Sequence, residues 1–504
     1  MGGECTTVPP RGRDACENPA MRFVASRLAV DLGGELVGAP AGAGASGDSG
    51  AAGVDLEVDG LAIDSRALVP GQLFAAVADV RDGHGFVAAA RTAGAPAVLV
   101  SRVVDDGPSI VVPDVERALI RIAGLARRRL PEFVVGITGS VGKTTTKDLL
   151  ASVLTERFVT AASLRSFNNE LGVPLTLANA REDTEVAVVE MGARGHGHIS
   201  MLCSMAHPTV GVVTAVQAVH TEHMGGEDQI AVAKRELVEH LPPTGLAVLH
   251  AADPRVAAMA AHTRAEVLTF GGGADNGAAD GAAGAAGDVH AVDVAVDDQL
   301  RPSFTLVSPW GTVAVRMGAR GVHNVANALA AAAVGLWGGV SLESVAAGLT
   351  NPIDSPWRMD LSHTAAGAMV LNDAYNAGPA SMAAALRSLA TLPARHRIAV
   401  LGVMAELGDR AADEHRRIAE LADELGIDVI AVGTELYGVT PVADPDAAVD
   451  AVLARVAALT GSDPGQGGHR GVTEHRGGLP EGTAVLVKGS RVAGLEKVAH
   501  LLTA

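Results

Sequence analysis

The sequence predicts an α/β protein of three domains: a small N-terminal α/β domain, a central domain with a parallel sheet, and a C-terminal Rossmann-like α/β domain. Short apolar runs, among them Val186–Val189, Ile398–Leu401 and Ala484–Val487, alternate with longer Ala/Leu-rich helical patterns. This alternation is typical of parallel α/β sheets. The length of 504 residues corresponds to about three domains of ordinary size.

We predict folded domains at residues 21–131, 132–352 and 353–504. Residues 1–20 contain Pro, Gly and Arg but no apolar run, so we expect them to form a disordered extension. The pattern from Met21 onward is that of a folded chain.

A glycine-containing turn follows the apolar run Val134–Thr138 and precedes a helix-compatible segment. This order predicts a strand, a phosphate-binding loop and a helix, in which backbone N–H groups point at phosphate oxygens. Lys143 would neutralise phosphate charge, and the Thr144 hydroxyl can bind Mg²⁺. Ile137 replaces the first glycine of the strict motif, so the match is to its shorter form; a turn that binds nothing is the less favoured interpretation. The predicted ATP-binding residues here are Thr138, Gly139, Ser140, Val141, Gly142, Lys143, Thr144 and Thr145.

Lysine is scarce, with five lysines among 39 basic residues. A chain that uses arginine as its general surface cation is expected to keep lysine where a compact ammonium or a reactive amine is needed. Three lysines stand in segments that indicate phosphate or metal chemistry: Lys143, Lys234 and Lys488. An amine that reacts with CO₂ to form a carbamate must be a lysine, so we predict carbamylation of Lys234.

Two further residues are candidate ligands for Mg²⁺, of which we expect two ions. Glu190 follows the strand-like run Val186–Val189 and could complete the shell begun by Thr144. His220 follows another strand-like run, and with the carbamate of Lys234 it could orient a second ion. Strand-end carboxylates and single histidines are more often merely solvated, so these predictions depend on the preceding phosphate loop.

The segment that contains His323, Asn324 and Asn327 opens an Ala-rich helical pattern. The two asparagines are three residues apart and therefore share one helical face. Their amides can read the edge of an adenine ring, so we predict that these three residues contact ATP. Ordinary polar residues in a first helical turn are the alternative.

Composition limits the partners. A net charge of −18 and a pI near 5.4 argue against binding to nucleic acid or an anionic membrane surface. The chain has three cysteines and no apolar segment long enough for insertion into a membrane. We therefore expect a reducing, cytoplasmic location and small-molecule partners.

Several segments resemble those of the Mur ligases, the ATP-dependent amide-forming family of peptidoglycan precursor synthesis. The resemblance extends from Met21 to the end, and its segments are Asp64–Ala75, Arg81–Phe86, Ser166–Pro174, Pro356–Met359, Asn372–Met382, Val400–Gly408 and Leu486–Arg491. Within the family, the chain is most similar to the type that adds D-alanyl-D-alanine to a UDP-N-acetylmuramoyl-tripeptide. Relative to that type, Gly378 stands where asparagine is usual and Val403 where aspartate is frequent.

The resemblance implies roles for each domain. The N-terminal domain would bind the UDP-linked substrate, the central domain ATP, and the C-terminal domain the dipeptide. Arg358 would reach the ATP phosphates and act in catalysis with Lys143, Lys234 and His220. The residues implied for the UDP-linked substrate are Ser65, Arg66, Asn168 and Asn169, and those for the dipeptide are Asp373, Tyr375, Asn376, Lys488 and Ser490. The resemblance also implies ATP as cosubstrate, and we expect a monomer.

Two alternatives remain open. One is a related ligase that adds diaminopimelate or lysine to the UDP-muramoyl-dipeptide, or glutamate to folate; the Tyr375–Pro379 segment and the Asn168–Asn169 pair disfavour it. The other is a P-loop nucleotide-binding regulator without ligase activity, which leaves the Asp64–Ala75 segment and the C-terminal domain unexplained.

Overall fold

The computed structural model describes residues 20–38, 56–78, 81–217, 226–271, 286–353, 355–460 and 478–504. Residues 1–19 of the predicted extension and His220 lie outside this set. By residue contacts the chain divides into two compact units. The first unit comprises Met1–Val135, Phe158–Met191 and Met201–Pro208, and the second comprises Gly136–Arg157, Gly192–Ser200 and Thr209–Ala504. The domain boundaries given above remain predictions.

The N-terminal part has a five-stranded sheet of order β2-β7-β6-β5-β4, beside an antiparallel pair of β1 and β3. Strand β2 runs antiparallel to β7, and the other neighbours in the sheet are parallel. The elements are β1 (Arg22–Val24), α1 (Ala25–Leu32), β2 (Glu35–Val37), β3 (Glu57–Asp59), β4 (Leu61–Ala62), β5 (Leu73–Ala75), α2 (Val87–Thr92), β6 (Val98–Val100), β7 (Ser109–Val111) and α3 (Val115–Arg127).

The central part contains a six-stranded sheet of order β13-β12-β11-β8-β10-β9. Strand β8 begins in the first unit and ends in the second. Its five residues are all buried, which is typical of a strand covered on both faces. The sheet strands are β8 (Val134–Thr138), β9 (Thr160–Ala162), β10 (Val186–Glu190), β11 (Val210–Val213), β12 (Leu246–His250) and β13 (Glu266–Phe270).

Helices and an antiparallel three-stranded sheet of order β14-β15-β16 complete the central part. The helix that follows the predicted phosphate loop, α4, packs against two later helices of the central part, α9 and α10. The elements are α4 (Lys143–Thr155), α5 (Gly172–Ala178), α6 (His198–Ala206), α7 (Glu227–Glu239), α8 (Pro254–Ala257), β14 (His290–Val296), β15 (Pro302–Ser308), β16 (Gly311–Arg316), α9 (Asn324–Trp337) and α10 (Leu342–Leu349).

The C-terminal part has a five-stranded sheet of order β17-β18-β21-β19-β20, parallel except for β17. Apolar cores lie on both faces of this sheet. The elements are β17 (Asp360–His363), β18 (Met369–Asn372), α11 (Pro379–Thr391), β19 (His396–Leu401), α12 (Ala411–Glu424), β20 (Asp428–Ala431), α13 (Pro445–Thr460), β21 (Thr483–Lys488) and α14 (Glu496–Thr503). The α/β class predicted from the sequence is confirmed. Within the described ranges, no helix has the length and apolar character needed to span a membrane.

A buried histidine anchors the loop that follows β19. The Nε2 atom of His415 accepts a hydrogen bond from the backbone N–H of Met404 at 2.9 Å, so Nδ1 carries the proton and donates to the Ala411 carbonyl at 2.6 Å. The Tyr437 ring packs edge-on against the imidazole, and its hydroxyl donates to the Gly402 carbonyl at 2.8 Å. Burial lowers the pKa of His415, because a charged imidazolium would lose its hydration and its bond from Met404.

We expect His415 to make the folded protein sensitive to acid. Because its pKa is lower in the folded chain than the ordinary value of 6.5, the stability it contributes is present above about pH 6.5 and is lost as the pH falls below that value. The variant His415→Gln should therefore lose less of its thermal unfolding temperature than the wild type between about pH 7.5 and 5.

The matched control is His363→Gln, which changes an exposed histidine at the end of β17. This control should keep the wild-type pH dependence. If the unfolding temperature of His415→Gln falls with pH as steeply as that of the wild type, the acid sensitivity does not come from His415.

Candidate active site

Two glycines shape the turn between β8 and α4. Gly139 and Gly142 have φ values of 149° and 84°, which favour glycine. A Cβ atom on Gly139 would lie 1.8 Å from the Thr214 hydroxyl oxygen. That hydroxyl donates to the Val141 carbonyl at 2.6 Å, and the Ser140 N–H donates to the Ala215 carbonyl at 2.7 Å. The end of β11 thus holds the turn in place at the start of α4.

Lys143 is the first residue of α4, and its side chain folds over the turn. Its ammonium donates to the carbonyls of Gly139 at 2.8 Å and Ser140 at 3.3 Å. The next residue, Thr144, is buried in the first helical turn. The helix N-terminus, the ammonium and the hydroxyl are therefore together, which is the arrangement that a bound phosphate and its Mg²⁺ require.

The two asparagines of α9 lie against this turn. The Asn327 amide oxygen accepts from the Thr146 hydroxyl at 3.1 Å and would be 2.4 Å from a Cβ atom on Gly142. Its amide nitrogen donates to Asn324 Oδ1 at 2.8 Å, and the Asn324 amide nitrogen donates to the Arg320 carbonyl at 2.6 Å. The predicted shared helical face is present, and these amides tie α9 to the loop helix. Contact of either residue with adenine remains a prediction.

Lys234 lies on α7 with its side chain buried. Its pKa is lowered well below the ordinary value, mainly by burial and further by the charge of Lys143. A lowered pKa makes the neutral amine available near neutral pH, and only the neutral amine reacts with CO₂. The surroundings of Lys234 therefore fit the carbamate that the sequence predicts.

Glu190 ends β10 and is almost completely buried, with 1% of its surface exposed. Its Oε1 atom accepts from the Asn168 amide at 2.8 Å, whereas Oε2 is buried without a hydrogen-bond partner. A buried carboxylate oxygen without a partner fits a metal ligand. No group of three or more His, Cys, Asp or Glu residues able to hold a metal occurs among the described residues.

The other residues predicted to bind the UDP-linked substrate have local contacts. Asn169 accepts from the Gly172 N–H at 3.0 Å and so satisfies a donor at the start of α5. Arg66 is highly exposed and forms a two-point ion pair with Asp64, with N–O distances of 2.9 and 2.7 Å. This pair lowers the pKa of Asp64, chiefly through the side-chain hydrogen bond. Ser65 lies between them in a turn.

Lys488 ends β21, and its ammonium is enclosed. It lies 2.5 Å from Asp373 Oδ2 and 3.0 Å from the Asn376 carbonyl. Ser490 accepts from the Ala405 N–H at 3.0 Å and donates to the Ala377 carbonyl at 3.3 Å. Lys488 and Ser490 therefore shape the loop that contains the predicted dipeptide residues. Their contact with a dipeptide remains a prediction.

His323 lies near this ion pair at the N-terminus of α9. Desolvation lowers its pKa, the charge of Asp373 opposes this shift, and the charge of Lys488 adds to it. This direction favours the neutral form of the ring. Contact of His323 with ATP remains a prediction.

Arg358 lies in the segment before β17, and its guanidinium carbon is 4.1 Å from the centre of the Tyr375 ring. This distance is within the range of a cation–π interaction. The structure thus brings the predicted phosphate-binding arginine to a residue predicted to bind the dipeptide.

The structure gives no reason for glycine in place of asparagine at position 378. Gly378 precedes α11 with φ −140°, an extended conformation that any residue adopts. The Ser381 hydroxyl accepts from the Gly378 N–H at 3.1 Å and donates to its carbonyl at 3.0 Å. Asparagine is favoured at such a helix start, so the backbone does not require glycine here.

Lys147 was missed by the sequence analysis. It lies on α4, one turn after Lys143, and it forms a buried ion pair with Asp148 at 2.6 Å. The scarcity of lysine could have drawn attention to it. His415 was also missed, because a histidine within an amphipathic helical pattern gives no local signal of burial.

Comparisons with known proteins agree with this arrangement. Residues 137–335 match the family model for the Mur ligase middle domain, and residues 357–491 match that for the Mur ligase, glutamate ligase domain. The chain is 40% identical over 486 residues to the UDP-N-acetylmuramoyl-tripeptide–D-alanyl-D-alanine ligase of Mycobacterium tuberculosis, covering 88% of this chain and 91% of the relative. It is 33% identical over 457 residues to the ligase of the same name from Escherichia coli, covering 89% and 95%.

A crystal structure of MurF from Acinetobacter baumannii superposes with a TM-score of 0.77 at 28% identity, covering 96% of this chain and 99% of that one. The resemblance therefore extends through the N-terminal part, which neither family model covers. The chain belongs to the Mur ligase family.

Proposed function

We propose that this chain joins D-alanyl-D-alanine to UDP-N-acetylmuramoyl-tripeptide, with conversion of ATP to ADP and phosphate. The observation that carries this proposal is the near full-length similarity to curated ligases of that name from two distant bacteria. The phosphate loop at Gly139–Thr144 supports the use of ATP. The product would be the UDP-muramoyl-pentapeptide of peptidoglycan synthesis.

The reaction proceeds in two steps. The terminal carboxylate of the tripeptide attacks the γ-phosphorus of ATP, which gives an acyl phosphate and ADP. The amine of D-alanyl-D-alanine then attacks the acyl carbon, and phosphate leaves from a tetrahedral intermediate. Lys143 and Arg358 neutralise the charge that concentrates on the phosphoryl oxygens. No side chain needs to act as a covalent nucleophile, because the acyl phosphate already carries the leaving group. Orientation of the two substrates supplies much of the rate increase.

Two side chains have the properties of Mg²⁺ ligands, each for a different reason. The Thr144 hydroxyl stands at the start of the loop helix, and Glu190 has a buried carboxylate oxygen without a partner. Both side chains offer an oxygen atom as a ligand, and Mg²⁺ prefers oxygen ligands. His220 and carbamylated Lys234 are proposed for a second ion, and His220 lies outside the described residues. When bound, Mg²⁺ would neutralise charge on the ATP phosphates.

The remaining site residues follow the family resemblance. We assign Ser65, Arg66, Asn168 and Asn169 to the UDP-linked substrate, and His323, Asn324 and Asn327 to ATP. The segment Asp373–Asn376, shaped by Lys488 and Ser490, is assigned to the dipeptide. We also propose that the protein acts as a monomer in the cytoplasm, where its nucleotide-linked substrates would be found.

The proposed reaction can be tested with purified protein, Mg-ATP and UDP-N-acetylmuramoyl-tripeptide, with and without D-alanyl-D-alanine. Phosphate release and mass spectrometry of the products should show ADP formation that depends on the dipeptide, together with a pentapeptide product. Tripeptides with meso-diaminopimelate or lysine should be compared, because the sequence leaves that choice open.

Two outcomes would contradict the proposal. Product formation only from UDP-muramoyl-dipeptide and free diaminopimelate or lysine would indicate a related ligase. ATP hydrolysis at a rate unaffected by either substrate would indicate a nucleotide-binding regulator.

We expect Lys234→Arg to lose nearly all ligase activity although the positive charge is kept, because a guanidinium does not form the carbamate. Wild-type activity should fall in buffer depleted of CO₂ and recover when bicarbonate is added. Protein equilibrated with ¹³C-bicarbonate should give a carbamate signal in the ¹³C NMR spectrum that the variant lacks.

The matched control is Arg235→Lys, which changes the neighbouring helix position, where Arg235 pairs with Glu239 on the surface. This variant should keep wild-type activity. Wild-type turnover in Lys234→Arg would rule out a role of the carbamate in the reaction.

A further inference from the structure

Arg358 is held by an aromatic ring and not by a carboxylate among the described residues. Other arginines, such as Arg66 and Arg91, form two-point hydrogen bonds with a neighbouring carboxylate. The Arg358 guanidinium instead lies 4.1 Å from the centre of the Tyr375 ring, and its Nε is buried without a hydrogen-bond partner among the described residues. An aromatic face holds a guanidinium without using its N–H groups. Those groups are then able to bind an anion.

The backbone on both sides of Arg358 is held in a disfavoured conformation. Trp357 and Met359 have φ values of 59° and 55°, in the left-handed region that non-glycine residues rarely occupy. Such conformations persist only when surrounding contacts fix them. The Trp357 N–H donates to Asp360 Oδ2 at 2.5 Å, and the Arg491 guanidinium stacks on the Trp357 ring at 4.3 Å.

The same loop that contains Tyr375 also fixes this segment. The Met359 N–H donates to Asp373 Oδ1 at 3.1 Å, and the Tyr375 N–H donates to the Trp357 carbonyl at 3.2 Å. Tyr375 is therefore connected to the arginine segment twice, through its backbone and through its ring. One face of the ring is covered by Arg358 and is not available to a dipeptide.

We infer that Tyr375 is a positioning residue that aims the Arg358 guanidinium at the transferring phosphoryl group. Through this contact it acts on phosphoryl transfer and not on binding of the dipeptide. The inference rests on the proposed function and adds to it. It assigns the Tyr375 ring to the nucleotide half of the reaction, although its loop is proposed to hold the amine substrate.

The test is a double-mutant cycle on the full ligase reaction with Tyr375→Leu, Arg358→Gln and the double variant. If the tyrosine acts through the arginine, Tyr375→Leu should lower kcat about tenfold while the KM for D-alanyl-D-alanine changes less than about twofold. In the Arg358→Gln background, the same substitution should have almost no further effect. The conservative variant Tyr375→Phe keeps the aromatic face and should recover most of the kcat that Tyr375→Leu loses.

Several results would overturn the inference. They are a raised KM for the dipeptide with unchanged kcat in Tyr375→Leu, independent effects that multiply in the double variant, and loss of activity in Tyr375→Phe. Thermal unfolding of each variant shows whether it folds. If Tyr375→Leu is misfolded, the inference is tested by the kcat of Tyr375→Phe and by the effect of the leucine substitution in the Arg358→Gln background. Absence of pentapeptide from the wild-type protein would instead contradict the proposed function, so the two failures are distinguishable.

Discussion

The ion pair between Lys488 and Asp373 organises the C-terminal half of the candidate site. Its ammonium and carboxylate are 2.5 Å apart, and only 3% of the lysine side chain is exposed. The second oxygen of Asp373 accepts from Met359, next to Arg358, and the ammonium also holds the Asn376 carbonyl. Removal of one partner from such a pair would leave a buried charge, at a cost of about 3–5 kcal/mol. The arginine segment and the predicted dipeptide loop therefore depend on the same contact.

The sequence was sufficient to predict the features that are local. The apolar run, the two glycines and Lys143 predicted a strand, a turn and a helix, and the structure has β8, Gly139 and Gly142, and a helix that begins at Lys143. Asn324 and Asn327 were expected on one helical face, and they are hydrogen-bonded to each other. Spacing within one element determines such relations, so they can be inferred without knowledge of the tertiary structure.

Contacts between distant segments could not be inferred in this way. Spacing along the chain does not indicate that the Arg358 guanidinium lies on the Tyr375 ring, or that the Asn327 amide touches the phosphate loop. Lys488 illustrates the same limit. Its position at a strand end was predictable, but its enclosure by Asp373 and the Asn376 carbonyl depends on how two loops pack after their strands pair in register. The type and spacing of residues therefore predict candidate site residues, whereas their contacts depend on the tertiary structure.

Three of the five lysines of this chain are buried. Lys147, Lys234 and Lys488 are buried, whereas Lys497 lies exposed on α14. Arginine stays protonated at any ordinary pH, but a lysine amine can become neutral when it is buried. Burial and the nearby charge of Lys143 both favour the neutral amine of Lys234. The neutral amine is the form that the proposed reaction with CO₂ requires. Carbamylation would convert this neutral amine into an anion that attracts the Lys143 ammonium. The charge of Lys143, which adds to the effect of burial on the Lys234 pKa, would also stabilise the proposed carbamate.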